Sequence, residues 1–391
     1  PTLVSLSKRV SFTDPLSVFS LQSDNSRLYW EDSEGRAAIC GLGAACRLEA
    51  EGFDRFAKIE EQRKSLIKNA IIEAEPSIPA TGPLFLGGFS FDPIREKTRL
   101  WRLFPDAELT MPEFMVTNVS GETWLTINAL VDGSTDPLQK ARELTNERDR
   151  LLKQSAQLYM PFVECVKYTI NEVESDKWKE IVGDAAAEIR NGAIDKVVLS
   201  REIRLTADEP FSAAQALCSL REQQRNSNLF AFQKEGTCFV GASPERLVRS
   251  HGSDFVTACL AGTAPRGETV AEDEKFGDDL LADKKNLHEH GLVVDMIHEA
   301  MQKVCSHVEM PAQPTLYKVK NVQHLYTPVV GKAMPNTSVI PFVGELHPTP
   351  ALGGFPQKQS VEKIRQLESY ERGWYGAPVG WVDYKGDGEF A

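Results

Sequence analysis

The sequence predicts an α+β fold in which mostly antiparallel strands and helices gather in separate stretches instead of alternating one by one. Three observations carry this. Residues 1–150 read as strands and turns around one charged helix over 53–73. The apolar runs Leu229 to Gln233 and Thr237 to Val240 flank a Lys234-Glu235-Gly236 turn and form a hairpin. A further strand, Phe255 to Leu260, precedes an acidic run from Glu272 to Asp279 that opens one long helix, where acidic residues suit the helix dipole.

The other elements follow from local pattern. Leu84 to Asp92 is an apolar run broken by Gly87 and Gly88, which suits a buried strand with a close backbone approach. Met115 to Val119 and Thr123 to Asn128 pair around Ser120-Gly121-Glu122. A helical stretch spans Asp136 to Leu158. An amphipathic helix over 172–190 places Trp178, Ile181, Val182, Ala185 and Ile189 at helical spacing, and Asn191-Gly192 stops it. In the strand that follows, Val197, Leu199, Ile203 and Leu205 take one face. Lys196, Val198, Ser200, Glu202 and Arg204 take the other. Leu281, Leu292, Val293, Met296 and Ile297 mark the buried stripe of the long helix, with Glu289 inside it. Leu346 to Gly354 is too rich in Pro and Gly for a regular element and reads as a shaped loop lining a cavity, and Arg372 to Trp381 reads as a similar glycine-rich bend leading into a strand.

Composition narrows the function classes. The 391 residues carry 44 basic and 56 acidic side chains, a net charge of −12 that argues against a nucleic-acid surface. An anionic small molecule is still admissible where a local cation reverses the field. Seven scattered cysteines without a CxxC pair read as reduced, buried thiols of a cytoplasmic protein. No apolar run is long enough to span a bilayer. The chain starts at Pro1, which points to a processed or longer N-terminus. Length alone suggests two or three domains. The reading taken is one large globular unit over 1–391, a monomer or homodimer, with an N-terminal portion over residues 1–160 and a second portion over residues 161–391.

Three ionisable residues carry the chemistry: Lys196 in Asp195-Lys196-Val197-Val198-Leu199-Ser200-Arg201, Glu245 after Ser243-Pro244, and Glu289 in His288-Glu289-His290. Each alone is most simply a solvated surface residue. As a base, the lysine must be partly desolvated; as an acid, the glutamate must be buried so that it stays protonated. His288 and His290 diverge by about 200° around a helix, so the triplet is no zinc motif. A single helix carboxylate instead suits Mg²⁺, which takes one or two carboxylates, waters and oxygens of an anionic substrate.

Together these segments resemble the chorismate-utilising enzyme family. The matches are Asp195 to Arg201, Gly241 to Glu245, Leu260-Ala261-Gly262-Thr263, Glu289-His290, Val322 to Leu325, His347 to Gly354 and Arg372 to Trp381, in family order. Gly87-Gly88-Phe89-Ser90-Phe91-Asp92 extends the likeness toward the N-terminus. The resemblance implies large, mostly antiparallel sheets packed as a sandwich with helices outside, as in anthranilate synthase component I, and makes 161–391 the chorismate-binding region. Lys196 looks like the base of water-using members. Ala261 stands where aminodeoxychorismate synthases carry a nucleophilic lysine.

The implied activity is that of an Mg²⁺-dependent isochorismate synthase, most like the menaquinone type. Lys196 would activate water for attack at C2 of chorismate, and Glu245 would protonate the leaving C4 hydroxyl. Glu289 would bind Mg²⁺, while Gly262, Thr263, His324, Thr349, Ala351, Leu352 and Tyr375 would line the substrate pocket. The alternatives are a siderophore-pathway isochorismate synthase, a salicylate synthase, or a shortened, inactive scaffold. The family pattern runs on past Phe390-Ala391 with an arginine, a glycine-rich strand and a second magnesium glutamate. On that comparison these 391 residues hold one half of the metal site.

Overall fold

Strand alternation sorts side chains to two faces, and that sorting builds the layers. The computed structural model describes residues 1–21, 26–158, 166–192, 194–319 and 321–391. In the strand Arg27–Glu31, Leu28 and Trp30 face a second sheet, and Tyr29 faces helices. Phe230 and Phe232 of Asn228–Lys234 repeat the pattern against Leu229 and Ala231.

Eight strands form the first sheet, from Thr237–Ser243 at one edge through Asn228–Lys234, Arg27–Glu31 and Ala37–Leu42 to Ile71–Glu73 at the other. Ten form the second, which includes Val322–Ala333, Asp254–Pro265, Val248–His251, Gly388–Phe390, Val379–Asp383 and Leu84–Phe89. Pairing is antiparallel among the described strands except between Thr2–Val10 and Ile71–Glu73. Each sheet draws strands from both sides of residue 160. The division at 160/161 and Cys165 lie outside the described residues.

The inner layer packs Leu28, Trp30, Met115, Phe230 and Phe232 of one sheet against Leu84, Leu86, Val379 and Trp381 of the other. Trp101, Phe104 and Trp374 fill the gap. Helices cover both outer faces. Leu151 of Pro137–Gln157 and Leu217 of Ala213–Gln223 cover the first sheet. Ile59 of Arg55–Ile67, Val293 and Ile297 of Lys284–Val304, and Val343 of Val339–Leu346 cover the second. The sandwich with outer helices is therefore observed. Gly88 is required by it, since a Cβ there would sit 2.8 Å from the Trp374 ring and 2.9 Å from the Pro378 carbonyl.

Three elements differ from the sequence reading. The helix over 53–73 is confined to Arg55–Ile67, because Ile71–Glu73 is taken up by free backbone groups at the edge of the first sheet. The long helix is two helices, broken at Asp283, whose carboxylate accepts from Asn286 N at 2.7 Å and so starts Lys284–Val304. The strand around Lys196 also splits. Lys196–Val197 pairs with Gly354–Phe355, while Ile203–Ala207 pairs with Tyr168–Glu172. The apolar alternation of the sequence runs across both pieces, but residues 198–202 between them are outside any strand, and Ile203 and Leu205 are exposed.

Candidate active site

Four residues carry the chain from Ser243, at the end of one sheet's edge strand, to Val248 in the other sheet, and Glu245 stands on this crossing. A cavity of ≈ 450 Å³ opens beside it between the sheets, within the usual size of a small-molecule site. Phe230, Phe239, Gly241, Glu245, His347, Thr349, Leu352, Trp374 and Tyr375 line it. Burial pushes the Glu245 carboxyl above its ordinary range, and the Lys196 charge pulls it partly back. The Lys196 amine thus lies within electrostatic reach of Glu245. Cys259 senses both groups, though burial lifts its own thiol to about 12 and leaves it inert.

Lys196 is fixed through its backbone. Its carbonyl accepts from Ser360 Oγ at 2.7 Å, Asp195 N donates to the Phe355 carbonyl at 3.0 Å, and Val198 N donates to the Gly353 carbonyl at 3.1 Å. The lysine strand and the Leu346 to Gly354 loop are therefore one unit. That loop delivers Thr349 and Leu352 to the cavity; Ala351, between them in sequence, does not line its wall. Among the described residues Thr349 Oγ1 is buried without a hydrogen-bond partner, a cost that a polar ligand atom would offset. His347 donates from Nε2 to the Phe91 carbonyl at 3.1 Å. Burial and the nearby Arg55 charge hold its pKa down at about 3, so it is a neutral buttress.

A second group forms where the strand Asp254–Pro265 bulges between Leu260 and Thr263. Thr263 and His324 face each other across the ladder and share a hydrogen bond of 2.9 Å. Gly262 takes φ +82°, and a Cβ there would meet Asn286 at 3.3 Å. The bulge is secured by His290, which the sequence analysis treated only as a flank of Glu289. His290 is buried, and desolvation keeps it neutral. Its Nδ1 donates to the Ala261 carbonyl at 3.0 Å, and Thr327 Oγ1 donates to its Nε2 at 2.8 Å. The signal lay in helical spacing: His290, Val293 and Ile297 share the buried face. Glu289 is not inside that stripe; its side chain is 41% exposed beside Lys285 at 3.6 Å.

Residues 1–391 match, from end to end, the family described as "Chorismate binding enzyme". The chain belongs to this family. Among its relatives, isochorismate synthase MenF of Bacillus subtilis is 39% identical over 401 residues, covering 100% of this chain and 84% of the relative. The salicylate biosynthesis isochorismate synthase of Pseudomonas aeruginosa is 35% identical over 394 residues, covering 100% and 81%. The solved structure of the menaquinone-specific isochorismate synthase MenF of Escherichia coli superposes with a TM-score of 0.77 at 23% identity, covering 100% of this chain and 84% of that one. Anthranilate synthase component I of Streptococcus pneumoniae gives 0.65 at 19%, covering 91% and 82%. At those identities the structural likeness concerns the fold.

For this chorismate-binding chain the metal question rests on donor chemistry. Among the described residues no three His, Cys, Asp or Glu side chains gather as a metal site. Glu289 is a hard oxygen donor tied only loosely to Lys285. It fits Mg²⁺ in kind, provided that substrate carboxylates and water fill the remaining positions.

Proposed function

We propose that this chain is an isochorismate synthase that converts chorismate to isochorismate, in the menaquinone branch and in the cytoplasm. The observation that carries the reading is Glu245, raised by burial in the cavity wall and within reach of the Lys196 charge. In the reaction, a water oxygen bonds to C2 of the ring as its proton passes to the Lys196 amine. The double bonds shift, the C4–O bond breaks, and Glu245 gives its proton to the departing hydroxyl, which leaves as water. One water enters and one departs, so the change is an isomerisation. Acid and base stand on separate elements, as proton transfer at both ends of an allylic displacement requires.

Thr349, with its unpartnered hydroxyl, and Tyr375 and Leu352 would orient the ring, with Ala351 shaping the loop behind them. Gly262, Thr263 and His324 would receive the remaining polar edge of the substrate. Glu289 would hold Mg²⁺, which supplies positive charge to the substrate carboxylate. The menaquinone assignment is supported by the names of the Bacillus subtilis and Escherichia coli enzymes.

The test is incubation of the complete protein with chorismate and Mg²⁺, with products separated by liquid chromatography. Isochorismate alone is expected. Salicylate with pyruvate, or a product formed only with ammonia, overturns the assignment.

A further inference from the structure

Arg372 and Glu368 form an ion pair that no step of the proposed reaction uses. Both are buried, at 6% and 8% exposure. Arg372 Nε donates to Glu368 Oε2 at 2.8 Å and Nη2 to Oε1 at 2.5 Å. Glu368 Oε1 also accepts from Ser200 N at 2.7 Å and Ser200 Oγ at 2.9 Å. The guanidinium then reaches two backbone carbonyls, Val198 at 2.7 Å and Leu352 at 3.0 Å, and lies over the Phe91 ring at 4.3 Å. One planar fork thus ties the end of the helix Gln357–Leu367 to the segment that carries Lys196 and to the loop that carries Thr349 and Leu352.

This matters because the Lys196 strand is only two residues long. Beyond Val197, among the described residues, no sheet ladder holds the chain until Ile203, and Val198 and Ser200 are satisfied by this pair instead. A sheet of two residues leaves its register weakly specified, whereas a buried, fully bonded charge pair is a stiff joint. We propose that Arg372, held by Glu368, is a positioning residue that sets Lys196 against the substrate loop. Arg372 does not itself line the cavity and meets its wall only at the Leu352 backbone carbonyl. The inference rests on the functional reading above.

Arg372→Lys tests it. Lysine keeps a charge beside Glu368 but has no fork, so it cannot bridge both carbonyls at once. In the full chain with chorismate and Mg²⁺, kcat is expected to fall about 10²-fold, the order lost when a reacting group moves by about 1 Å. KM is expected to stay within about threefold, because no cavity-lining side chain is replaced. A kcat within about threefold of the parent, or a loss carried by KM alone, overturns the proposal. Should the variant lack a cooperative melt, Ser200→Ala, which removes the hydroxyl's bonds to the Glu368 carboxylate and from Tyr370 while leaving the Arg372 fork in place, decides. Lowered kcat at parental KM supports the clamp, and parental kcat overturns it. A parent chain without turnover defeats the functional reading and not the clamp. The clamp is then judged by the pH dependence of Lys196 acylation, followed by peptide mass spectrometry. Arg372→Lys must displace that dependence, and an unchanged curve overturns the clamp.

Discussion

Glu245 stands on a connection locked between two apolar sheets, whereas Lys196 stands on a two-residue strand held by hydrogen bonds to side chains and loop carbonyls. Phe230, Leu247 and Val379 line the same cavity as Glu245, and desolvation raises its carboxyl. Around Lys196, the neighbouring strands Tyr168–Glu172 and Ile203–Ala207 are largely exposed, and a buried arginine–glutamate pair supplies the order that a core would otherwise give. The proposed acid is thus tuned by desolvation, and the proposed base is placed by polar geometry. The two are then sensitive to different kinds of damage.

The largest expected effects break the pair itself. Lys196→Ala and Glu245→Gln should each lower turnover by about 10²–10⁴-fold, the usual contribution of one general acid or base. Circular dichroism should match the parent; near-parental product formation in either variant would break the assignment. Stability should separate the two regions next. Leu86→Ala, at a position 0% exposed, is expected to cost about 2–5 kcal/mol by urea unfolding. Leu205→Ala, 47% exposed, should change stability by no more than about 0.5 kcal/mol. Equal costs would erase the contrast.

A smaller effect is a pH dependence of known sign. The folded Glu245 carboxyl keeps its proton above 4.5, where the unfolded chain has lost it. The folded state therefore binds more protons in that window, and its stability falls as pH rises through it. Glu245→Gln removes this penalty, so its melting temperature should gain on the parent from pH 4 to pH 8. A flat or reversed difference would mean that burial does not tune this group. Ser360→Ala, which removes the hydrogen bond to the Lys196 carbonyl, should cost about 1 kcal/mol by the same unfolding assay.

Much of the fold was legible because its signals are local. The hairpin at Ser120-Gly121 reads correctly, since both turn residues take positive φ and the flanking strands alternate. The Lys234-Glu235-Gly236 turn reads correctly for the same reason. The split of the Lys196 strand could not be read, because its partner Gly354–Phe355 is distant in sequence and alternation carries no record of partner exchange. His290 was misjudged by its neighbours in sequence, although its helical spacing matched the buried stripe. Glu289 was assigned to that stripe and lies at its border. The Arg372 fork left no readable trace, since an arginine beside glycine and tryptophan is equally at home in an ordinary turn.

By itself the sequence determined which chemical groups are present, their order, the mostly antiparallel strand pattern and the glycines that let strands and rings approach. Tertiary structure alone decided that the Glu245 carboxyl is desolvated in the cavity wall, that Lys196 lies within its field, and that a buried ion pair replaces a sheet ladder behind the lysine. The physical reason is that hydrophobic periodicity is a property of neighbouring residues. Desolvation and charge coupling instead depend on groups that only the folded chain brings together.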